Sequence, residues 1–259
     1  MDKPRVGIVG VGNMGGAMAA RLLATGWPLQ VCDIDAHRAR QLGLQGAQVH
    51  HTPAQCAGGV AALIVCVVDS PQIEAVLFGP AGAATVLRSG QDVRARDGTM
   101  SLMLACDDAA FERQRALVET LSSKAFRISA RPGNGARTKL VNNLLAAINL
   151  VGAAEAIALA GRLGLAPEQA LSVIEQSSGQ SWIGSDRMRR AIAGDFEPRA
   201  HMTLLEKDTR LALQAAAAAG FEGPLGAAAH AVFARACAAG LADQDDGALL
   251  QLLRQPPPR

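Results

Sequence analysis

Hydrophobic and polar positions follow two rhythms along the chain. Before residue 132, short and continuously apolar runs alternate with segments whose apolar residues recur every three or four positions. Alternation of this kind is typical of an α/β fold, a doubly wound parallel sheet. The runs predict buried strands, and the segments predict helices: strands at 6–9, 29–32, 47–49, 61–68, 98–105 and 125–128, with helices at 70–77 and 107–121 among those between them.

After residue 132 the pattern is helical throughout. Helices are predicted at 136–163, 167–175, 186–193, 202–219, 226–238 and 248–253. Residues 255–259 are proline-rich and predict a disordered tail. We therefore expect an α/β domain at 1–132, followed by an all-α domain at 133–254 that binds substrate and packs against a second copy of the chain.

A glycine-rich turn joins the first predicted strand to the first helix. Gly10, Gly12 and Gly15 have the spacing GxGxxG, with Asn13 and Met14 at the start of the helix. Such glycines permit a tight turn, close approach of a pyrophosphate and close helix–strand packing, and the free N–H groups of the helix bind phosphate. A structural glycine loop is the alternative, but the strand–turn–helix context favours a Rossmann-type dinucleotide site.

Asp33 bears on the choice of dinucleotide. It follows the second predicted strand about 20 residues after the glycines, where a carboxylate accepts hydrogen bonds from the ribose of NAD. The same carboxylate repels the additional phosphate of NADP, although Arg38 and Arg40 lie near enough in sequence to soften that repulsion. NAD is therefore the expected cofactor, and NADP is less favoured.

Lys139 and Asn143 are the candidate chemical groups. They lie four residues apart near the start of a long apolar helix, so they share one face, in a chain with only four lysines. A lysine beside an amide suits proton transfer to or from a hydroxyl or carbonyl oxygen. An ordinary surface lysine near a helix N-terminus is the alternative, which the dinucleotide turn at the other end of the chain disfavours.

Composition excludes several classes of protein. The net charge of +2 includes no basic run for nucleic acid, and we expect no stretch apolar enough to span a membrane. Five widely spaced cysteines without a CxxC pair indicate a reducing cytoplasm, and the five histidines lack metal-ligand spacing, so no metal is expected. The absence of tyrosine excludes reductases that use a Tyr–Lys pair.

Together these motifs resemble the β-hydroxyacid dehydrogenases, the family of 3-hydroxyisobutyrate, tartronate semialdehyde and threonate dehydrogenases. The resemblance implies that Lys139 is the acid/base, that Asn143 binds substrate and that Lys207, in the family's Lys-Asp motif, approaches the cofactor. It also implies that Trp182, in the segment 177–182, faces the substrate, although Trp182 suits a core position equally well. Segments 68–70, 177–182 and 245–247 look closest to the L-threonate dehydrogenase branch.

The chain departs from the family at the Val93–Arg94 junction. The resemblance implies a strand, a helix and a further strand here, the last leading into a loop that binds the substrate carboxylate, and all of these are missing. A strand–helix–strand unit has about 30 residues or more. The expected fold is therefore a shortened Rossmann-type sheet followed by an all-α domain.

Two functions follow from the resemblance and the departure. The first is a cytoplasmic, homodimeric or homotetrameric dehydrogenase that oxidises a small hydroxy acid such as L-threonate or 3-hydroxyisobutyrate with NAD. The alternative is a catalytically impaired dinucleotide-binding remnant without the carboxylate loop. An imine reductase is disfavoured, because the resemblance implies that those relatives replace the lysine at position 139.

Overall fold

The structure, a computed structural model, describes residues 3–87 and 101–254 and divides into two units, Met1–Gly135 and Ala136–Arg259. The sequence pattern placed this division at residue 132. The Val93–Arg94 junction, the start of the strand predicted at 98–105 and the predicted tail at 255–259 lie outside the described residues.

In the first unit, strands and helices alternate, as predicted. Its elements are β1 (Val6–Val9), α1 (Asn13–Ala24), β2 (Leu29–Cys32), α2 (Ala36–Gly43), β3 (Gln48–Val49), α3 (Pro53–Ala57), β4 (Ala62–Val65), α4 (Ser70–Phe78), β5 (Ser101–Ala105), α5 (Asp108–Leu121) and β6 (Lys124–Ser129). Strands β1 to β4 form a parallel sheet in the order β3-β2-β1-β4, the first part of the doubly wound order. The predicted fold class is confirmed.

The sheet of this unit is in two parts. Strands β5 and β6 pair in parallel with each other and form a separate two-stranded sheet. Nevertheless, Leu102 and Leu104 of β5 lie in the same buried cluster as Ile8 of β1 and Ile64 of β4. One hydrophobic core therefore supports both sheets, although no hydrogen-bonded ladder joins β4 to β5 among the residues that are described.

Several boundaries in this unit differ from the prediction. β4 ends at Val65 rather than at residue 68, because the chain turns into α4, whose first N–H groups are capped by the carboxylate of Asp69 accepting from the Gln72 N–H. Pro71 lies in the first turn of that helix, as expected. The helices α2 and α3 were not predicted individually; they have only eight and five residues.

The second unit is entirely helical where it is described. Its main helices are α6 (Asn134–Arg162), α7 (Pro167–Glu175), α8 (Trp182–Ile192), α9 (Met202–Ala218), α10 (Pro224–Ala236) and α11 (Leu249–Arg254). The first two residues of α6 belong to the first unit, which ends at Gly135. Their core includes Leu150 and Ile157 of α6, Met188 of α8, and Phe233 of α10, all fully buried.

Besides α6, which begins at Asn134 rather than at residue 136, two helices in this unit begin earlier than predicted. α8 begins at Trp182 rather than at residue 186, because the Ser181 hydroxyl caps the helix by accepting from the Gly184 N–H at 3.1 Å. α10 begins at Pro224 rather than at residue 226 and ends at Ala236, where a π-helical turn with Gly240 at φ +86° follows. Both errors come from local capping and backbone chemistry that apolar periodicity does not report.

α6 is long and apolar enough to cross a membrane on length and composition alone, so the expectation that no stretch meets those criteria was wrong. One third of its most apolar window, 33%, is buried in the structure. The core helix of a helical domain passes the same test, and Ala147, Leu150, Ala154 and Ile157 place one face of α6 in such a core.

Candidate active site

The glycine turn between β1 and α1 has no room for side chains at two of its positions. Gly10 has φ +89°, and a Cβ there would lie 2.3 Å from the carbonyl oxygen of Cys66, just beyond β4. A Cβ on Gly15 would lie 1.8 Å from the carbonyl oxygen of Gly10. The tight turn and the close helix packing that the glycine spacing predicted are therefore both present.

No side chain among the described residues caps the backbone N–H groups at the N-terminus of α1, beside this turn. Gly12 is the N-cap and supplies no side-chain acceptor, while Asn13 and Met14 occupy the exposed first turn. A Cβ on Gly12 would meet only the guanidinium of Arg38, at 3.2 Å. Free N–H groups with a cation close by suit a pyrophosphate, so this part of the chain fits a dinucleotide.

Asp33 lies one residue beyond β2, where the sequence placed a ribose ligand. Its Oδ2 accepts a hydrogen bond from the Val11 N–H at 2.5 Å, and its Oδ1 accepts one from the Asp35 N–H at 2.8 Å. These bonds fix the half-buried carboxylate beside the glycine turn. Arg38 forms an ion pair with Asp35 at 3.3 Å, so this cation is also held at the turn.

In the helical unit, the side chains of Lys139 and Asn143 converge on one atom. Asp208 of α9 is 5% exposed, and its Oδ2 accepts hydrogen bonds from Lys139 Nζ at 3.2 Å and from Asn143 Nδ2 at 2.6 Å. The Asn143 amide is also held from its other side, since its Oδ1 accepts from Asn142 Nδ2 at 3.2 Å. The convergence of Lys139 and Asn143 on one helix face is thus part of a wider cluster.

Lys207 joins the same carboxylate from α9 itself, with its Nζ 3.6 Å from Asp208 Oδ1. Asp208 therefore contacts three of the four candidate side chains of the helical unit. The fourth, Trp182, lies at the start of α8 and is 72% exposed, so the core interpretation of this residue was wrong. Within the part of the helical unit that is described, Trp182 makes no polar contact with the other three.

Asp208 was not among the residues selected from the sequence. It belongs to the Lys-Asp pair at 207–208, which also reads as an ordinary solvated pair on a helix. Its partners Lys139 and Asn143 are 69 and 65 residues away in the chain. The available signal was charge: a carboxylate on the buried face of α9, between apolar positions, requires partners.

A second buried ionic cluster in this unit centres on Asp245 and Asp246. Asp246 pairs with Arg187, while Asp245 pairs with Arg190 at 3.0 Å and accepts from the Arg199 N–H at 3.0 Å. Burial opposes the charged form of Asp245, but the backbone N–H groups and Arg190 outweigh it and lower the pKa. Burial dominates at Asp246 and raises the pKa of that carboxyl to about 6.

None of the remaining clusters suits a metal ion. Across residues 3–87 and 101–254, no group of three or more His, Cys, Asp or Glu side chains is arranged as metal ligands. None of the five cysteines, all of which lie in the described part of the chain, forms a disulfide bond.

Comparison with known proteins identifies the family. Residues 133–253 match the family described as the NAD-binding domain of NADP-dependent 3-hydroxyisobutyrate dehydrogenase, and residues 5–93 match the NAD binding domain of 6-phosphogluconate dehydrogenase. L-threonate dehydrogenase of Escherichia coli is 31% identical across 95% of this chain and 94% of its own length. The corresponding enzyme of Cupriavidus necator is 29% identical across 95% of each.

A solved structure agrees in fold. The crystal structure of 3-hydroxyisobutyrate dehydrogenase from Salmonella typhimurium superposes with a TM-score of 0.85 at 29% identity, covering 96% of this chain and 100% of that one. The fold expected from the sequence, a Rossmann-type domain followed by a helical domain, therefore matches that of a solved relative.

The missing segment is also visible in these comparisons. The alignment with the E. coli enzyme extends over 283 positions, but 95% of this chain is about 246 residues, so about 37 positions have no counterpart here. The first family match ends at residue 93, where the sequence predicted the break. On the strength of its motifs, its fold and its relatives, the chain belongs to the β-hydroxyacid dehydrogenase family of NAD(P)-dependent oxidoreductases.

Proposed function

We propose that the chain is an NAD-dependent dehydrogenase that oxidises the alcohol of L-threonate or a closely similar small hydroxy acid. The observation that carries this proposal is the convergence of Lys139 and Asn143 on the buried carboxylate of Asp208. An amine and an amide fixed side by side suit an alcohol that must lose its proton. The L-threonate dehydrogenases among the relatives support the choice of substrate.

The nicotinamide cofactor, when bound, supplies the hydride acceptor. The chain's own groups then handle the proton and the orientation of the substrate. Lys139 starts the reaction as a neutral amine and takes the hydroxyl proton as the hydride leaves the carbinol carbon; in the reverse direction it starts as the ammonium and returns a proton to the carbonyl oxygen. Its side chain is 57% exposed, so water exchanges that proton between turnovers. Asn143 orients the substrate, Lys207 would help to hold the cofactor when it is bound, and the exposed Trp182 would contact the substrate.

Asp33 supports NAD as the preferred cofactor. Both of its oxygens are fixed by backbone N–H groups, so the carboxylate stays beside the glycine turn and opposes a 2′-phosphate. Arg38 beside Gly12 is the group that would admit NADP. Gly10, Gly12, Asn13, Met14 and Gly15 contribute the phosphate site.

A homo-oligomer in the cytoplasm completes the proposal. The exposed apolar residues Val141, Leu145 and Leu159 lie along one stripe of α6, which a second copy of the chain would cover. The lack of disulfide bonds among the five cysteines, all of which are in the described part of the chain, suits a reducing compartment.

The second candidate function is a dinucleotide-binding protein without turnover. The observation that favours it is the absence of about 37 positions present in the E. coli relative. The resemblance assigns to that segment the loop that holds the substrate carboxylate. Its loss removes binding energy for the substrate but does not remove Lys139, Asn143 or Asp208.

The test begins with titration of the purified protein with NAD and NADP, followed by hydride-transfer assays with L-threonate, 3-hydroxyisobutyrate and glycerate. Binding of NAD with turnover supports the dehydrogenase, and the substrate with the highest kcat/KM identifies its class. Binding of NAD without turnover of any of the three supports the second candidate. Absence of NAD binding contradicts both.

The residue assignment has its own test. Lys139→Ala should abolish turnover while the affinity for NAD changes less than about twofold, because the lysine acts on the proton rather than on the cofactor. Lys124→Ala is the matched control, since Lys124 is an exposed lysine on β6. Turnover that survives in Lys139→Ala contradicts the role of this lysine.

A further inference from the structure

Asp208 is the only carboxylate that the described structure places against the candidate lysines, and its surroundings are unusual for a charged side chain. It is 5% exposed on α9, yet its partners include two lysines, of which Lys139 has a side chain 57% exposed. A buried carboxylate costs several kcal/mol unless its partners compensate for lost hydration. Asp208 is the only buried charged residue of α9, every residue of which is described, and it lies beside Lys139, Lys207 and Asn143.

The geometry divides the two oxygens of the carboxylate between different tasks. Oδ2 accepts from both Lys139 and Asn143, and Oδ1 faces Lys207. Because an ionised carboxylate only accepts, it fixes which side of the Asn143 amide points toward it: the NH2 group. The amide oxygen of Asn143 is thereby turned away from Asp208, toward Asn142.

We propose that Asp208 is a positioning residue, which holds the Lys139 amine and the Asn143 amide in the orientation that the reaction requires. This role rests on the proposed function of Lys139. A lysine side chain has four rotatable bonds and samples several conformations unless a partner holds it. Misplacing a reacting group by about 1 Å lowers the rate about 100-fold. Asp208 therefore acts on turnover through two other residues without touching the substrate itself.

The same contacts select the kind of group that Asn143 offers the substrate. Asp208 engages one N–H of the Asn143 amide, and Asn142 occupies one lone pair of the amide oxygen, so the second lone pair of that oxygen remains to accept a hydrogen bond from a substrate hydroxyl. A substrate hydroxyl beside the reacting carbon satisfies this acceptor, whereas a hydrogen or methyl group does not. Polyhydroxy acids should therefore depend more strongly on Asp208 than acids with a single hydroxyl.

The test uses the full-length protein with Asp208→Asn, Asp208→Glu and Asp208→Ala. Asp208→Asn preserves shape but removes the charge, so kcat for L-threonate should fall about 10- to 100-fold while KM changes less than about threefold. Asp208→Glu keeps the charge and should recover part of the lost kcat. Glu175→Gln, which removes an exposed ion pair with Arg189 in the same unit, is the control and should leave kcat unchanged.

A spectroscopic readout separates positioning from a purely structural role. The chain has only four lysines, so protein labelled with 13C at lysine Cε gives four signals, and the Lys139 signal is the one lost in Lys139→Arg. In the wild type this signal should show restricted motion, which Asp208→Asn should release. The Lys3 and Lys124 signals should not change.

The possible outcomes separate this proposal from the proposed function. A wild-type protein without turnover contradicts the proposed function, and the lysine spectrum still tests the positioning by Asp208. A wild-type protein with turnover that Asp208→Asn retains, with a Lys139 signal unchanged, overturns the positioning role alone. Asp208→Ala leaves two donors without an acceptor, so circular dichroism must show that it is folded before its kinetics are used; if it is not, Asp208→Asn decides.

The preference for an added hydroxyl is measured in the same series. Asp208→Asn should lower kcat/KM for L-threonate at least about threefold more than for 3-hydroxyisobutyrate, because only the first places a further hydroxyl beside the reacting carbon. Equal losses for both substrates contradict the orientation assigned to the Asn143 amide.

Discussion

The carboxyl of Asp246 should make the helical unit less stable as the pH rises from about 4 to about 7. Burial raises its pKa from 3.8 to about 6, although Arg187 pairs with it. In the unfolded chain the carboxyl loses its proton near its ordinary value, whereas the folded protein retains it up to about pH 6. Between these values the folded state binds more protons than the unfolded state, so the free energy of unfolding falls as the pH rises.

The magnitude follows from the two pKa values. The difference between 3.8 and about 6, at about 1.36 kcal/mol per pH unit, corresponds to about 3 kcal/mol. Asp246 is only 2% exposed, so solvent screening reduces this value little. Asp245 acts with the opposite sign, because its lowered pKa adds stability as the pH rises. The net slope of the wild type is therefore smaller than the contribution of Asp246, which must be isolated by substitution.

Asp246→Asn isolates that contribution. Urea unfolding is followed by circular dichroism at pH 4, 5, 6 and 7 for the wild type and the variant, and their free energies of unfolding are subtracted. The difference, wild type minus variant, should fall by about 2 kcal/mol across this range, because part of the total of about 3 kcal/mol is already lost at pH 4, where the unfolded carboxyl is more than half ionised. Asp195→Asn is the control of opposite sign, since the Arg190 guanidinium lowers the pKa of Asp195. A difference that is flat or rises with pH for Asp246→Asn would refute the dominance of burial at this carboxyl.

Three further predictions concern packing and reactivity. Gly15→Ala should lower NAD affinity at least tenfold, because its Cβ would lie 1.8 Å from the Gly10 oxygen, whereas Gly161→Ala, with open space around its Cβ, should not; equal affinities by calorimetric titration would contradict this. Phe233→Ala, at a fully buried position, should cost about 3–5 kcal/mol in urea unfolding, and Phe221→Ala, at a site 64% exposed, less than about 1 kcal/mol; similar losses would argue against the assigned core. Burial raises the pKa of the Cys56 thiol to about 12, so iodoacetamide at pH 8 should label it only after unfolding in urea, and mass spectrometry showing label in the native protein would reject that assignment.

Short-range patterns in the sequence were sufficient for the dinucleotide half of the site. β1 and β2 were predicted with their observed bounds, because all four residues of each strand are buried and Gln30 of β2 is the one polar residue in the two runs. The glycine turn follows from residues 10 to 15 alone, since its constraints act between neighbours: the oxygen that excludes a side chain at Gly15 belongs to Gly10. Such features are encoded locally and can be inferred locally.

The start of α8 shows where periodicity misleads. The segment Ile183-Gly184-Ser185 reads as a turn, because glycine is a poor helix former. In the structure, a Cβ on Gly184 would lie 2.9 Å from the Ala153 Cβ, so the glycine allows α8 to approach α6. Glycine lowers the intrinsic helix propensity of α8 but permits tight packing against α6. That packing depends on Ala153, which is 31 residues away in the chain. The hydroxyl cap at Ser181 was a readable signal, since serine followed by helix-compatible residues favours an N-cap.

Asp208 represents a different kind of limit. Its charge and its place on a buried helix face were visible, but the identity of its partners depends on the packing of α9 against α6, which no local pattern specifies. The resemblance to the family directed attention to Lys207, whereas the contacts in the structure centre on the neighbouring carboxylate. Asp208 is close in space to Lys139 and Asn143, although both are far from it in the sequence.

The formation of a hydrophobic core and the binding of a substrate make different demands on the strands of the first unit. Core formation needs buried apolar side chains, and Leu102 and Leu104 of β5 supply them to the same cluster as Ile64 of β4, although no ladder joins the two strands among the described residues. Substrate binding needs polar donors at defined positions, and the resemblance places those donors in the absent segment. Apolar contacts are non-directional and substitute for one another, whereas hydrogen-bond donors do not. The fold therefore tolerates the loss of about 37 positions more readily than the substrate site does. The cluster of Lys139, Asn143 and Asp208 lies wholly in the helical unit and retains its geometry. The loss should therefore raise KM before it lowers kcat.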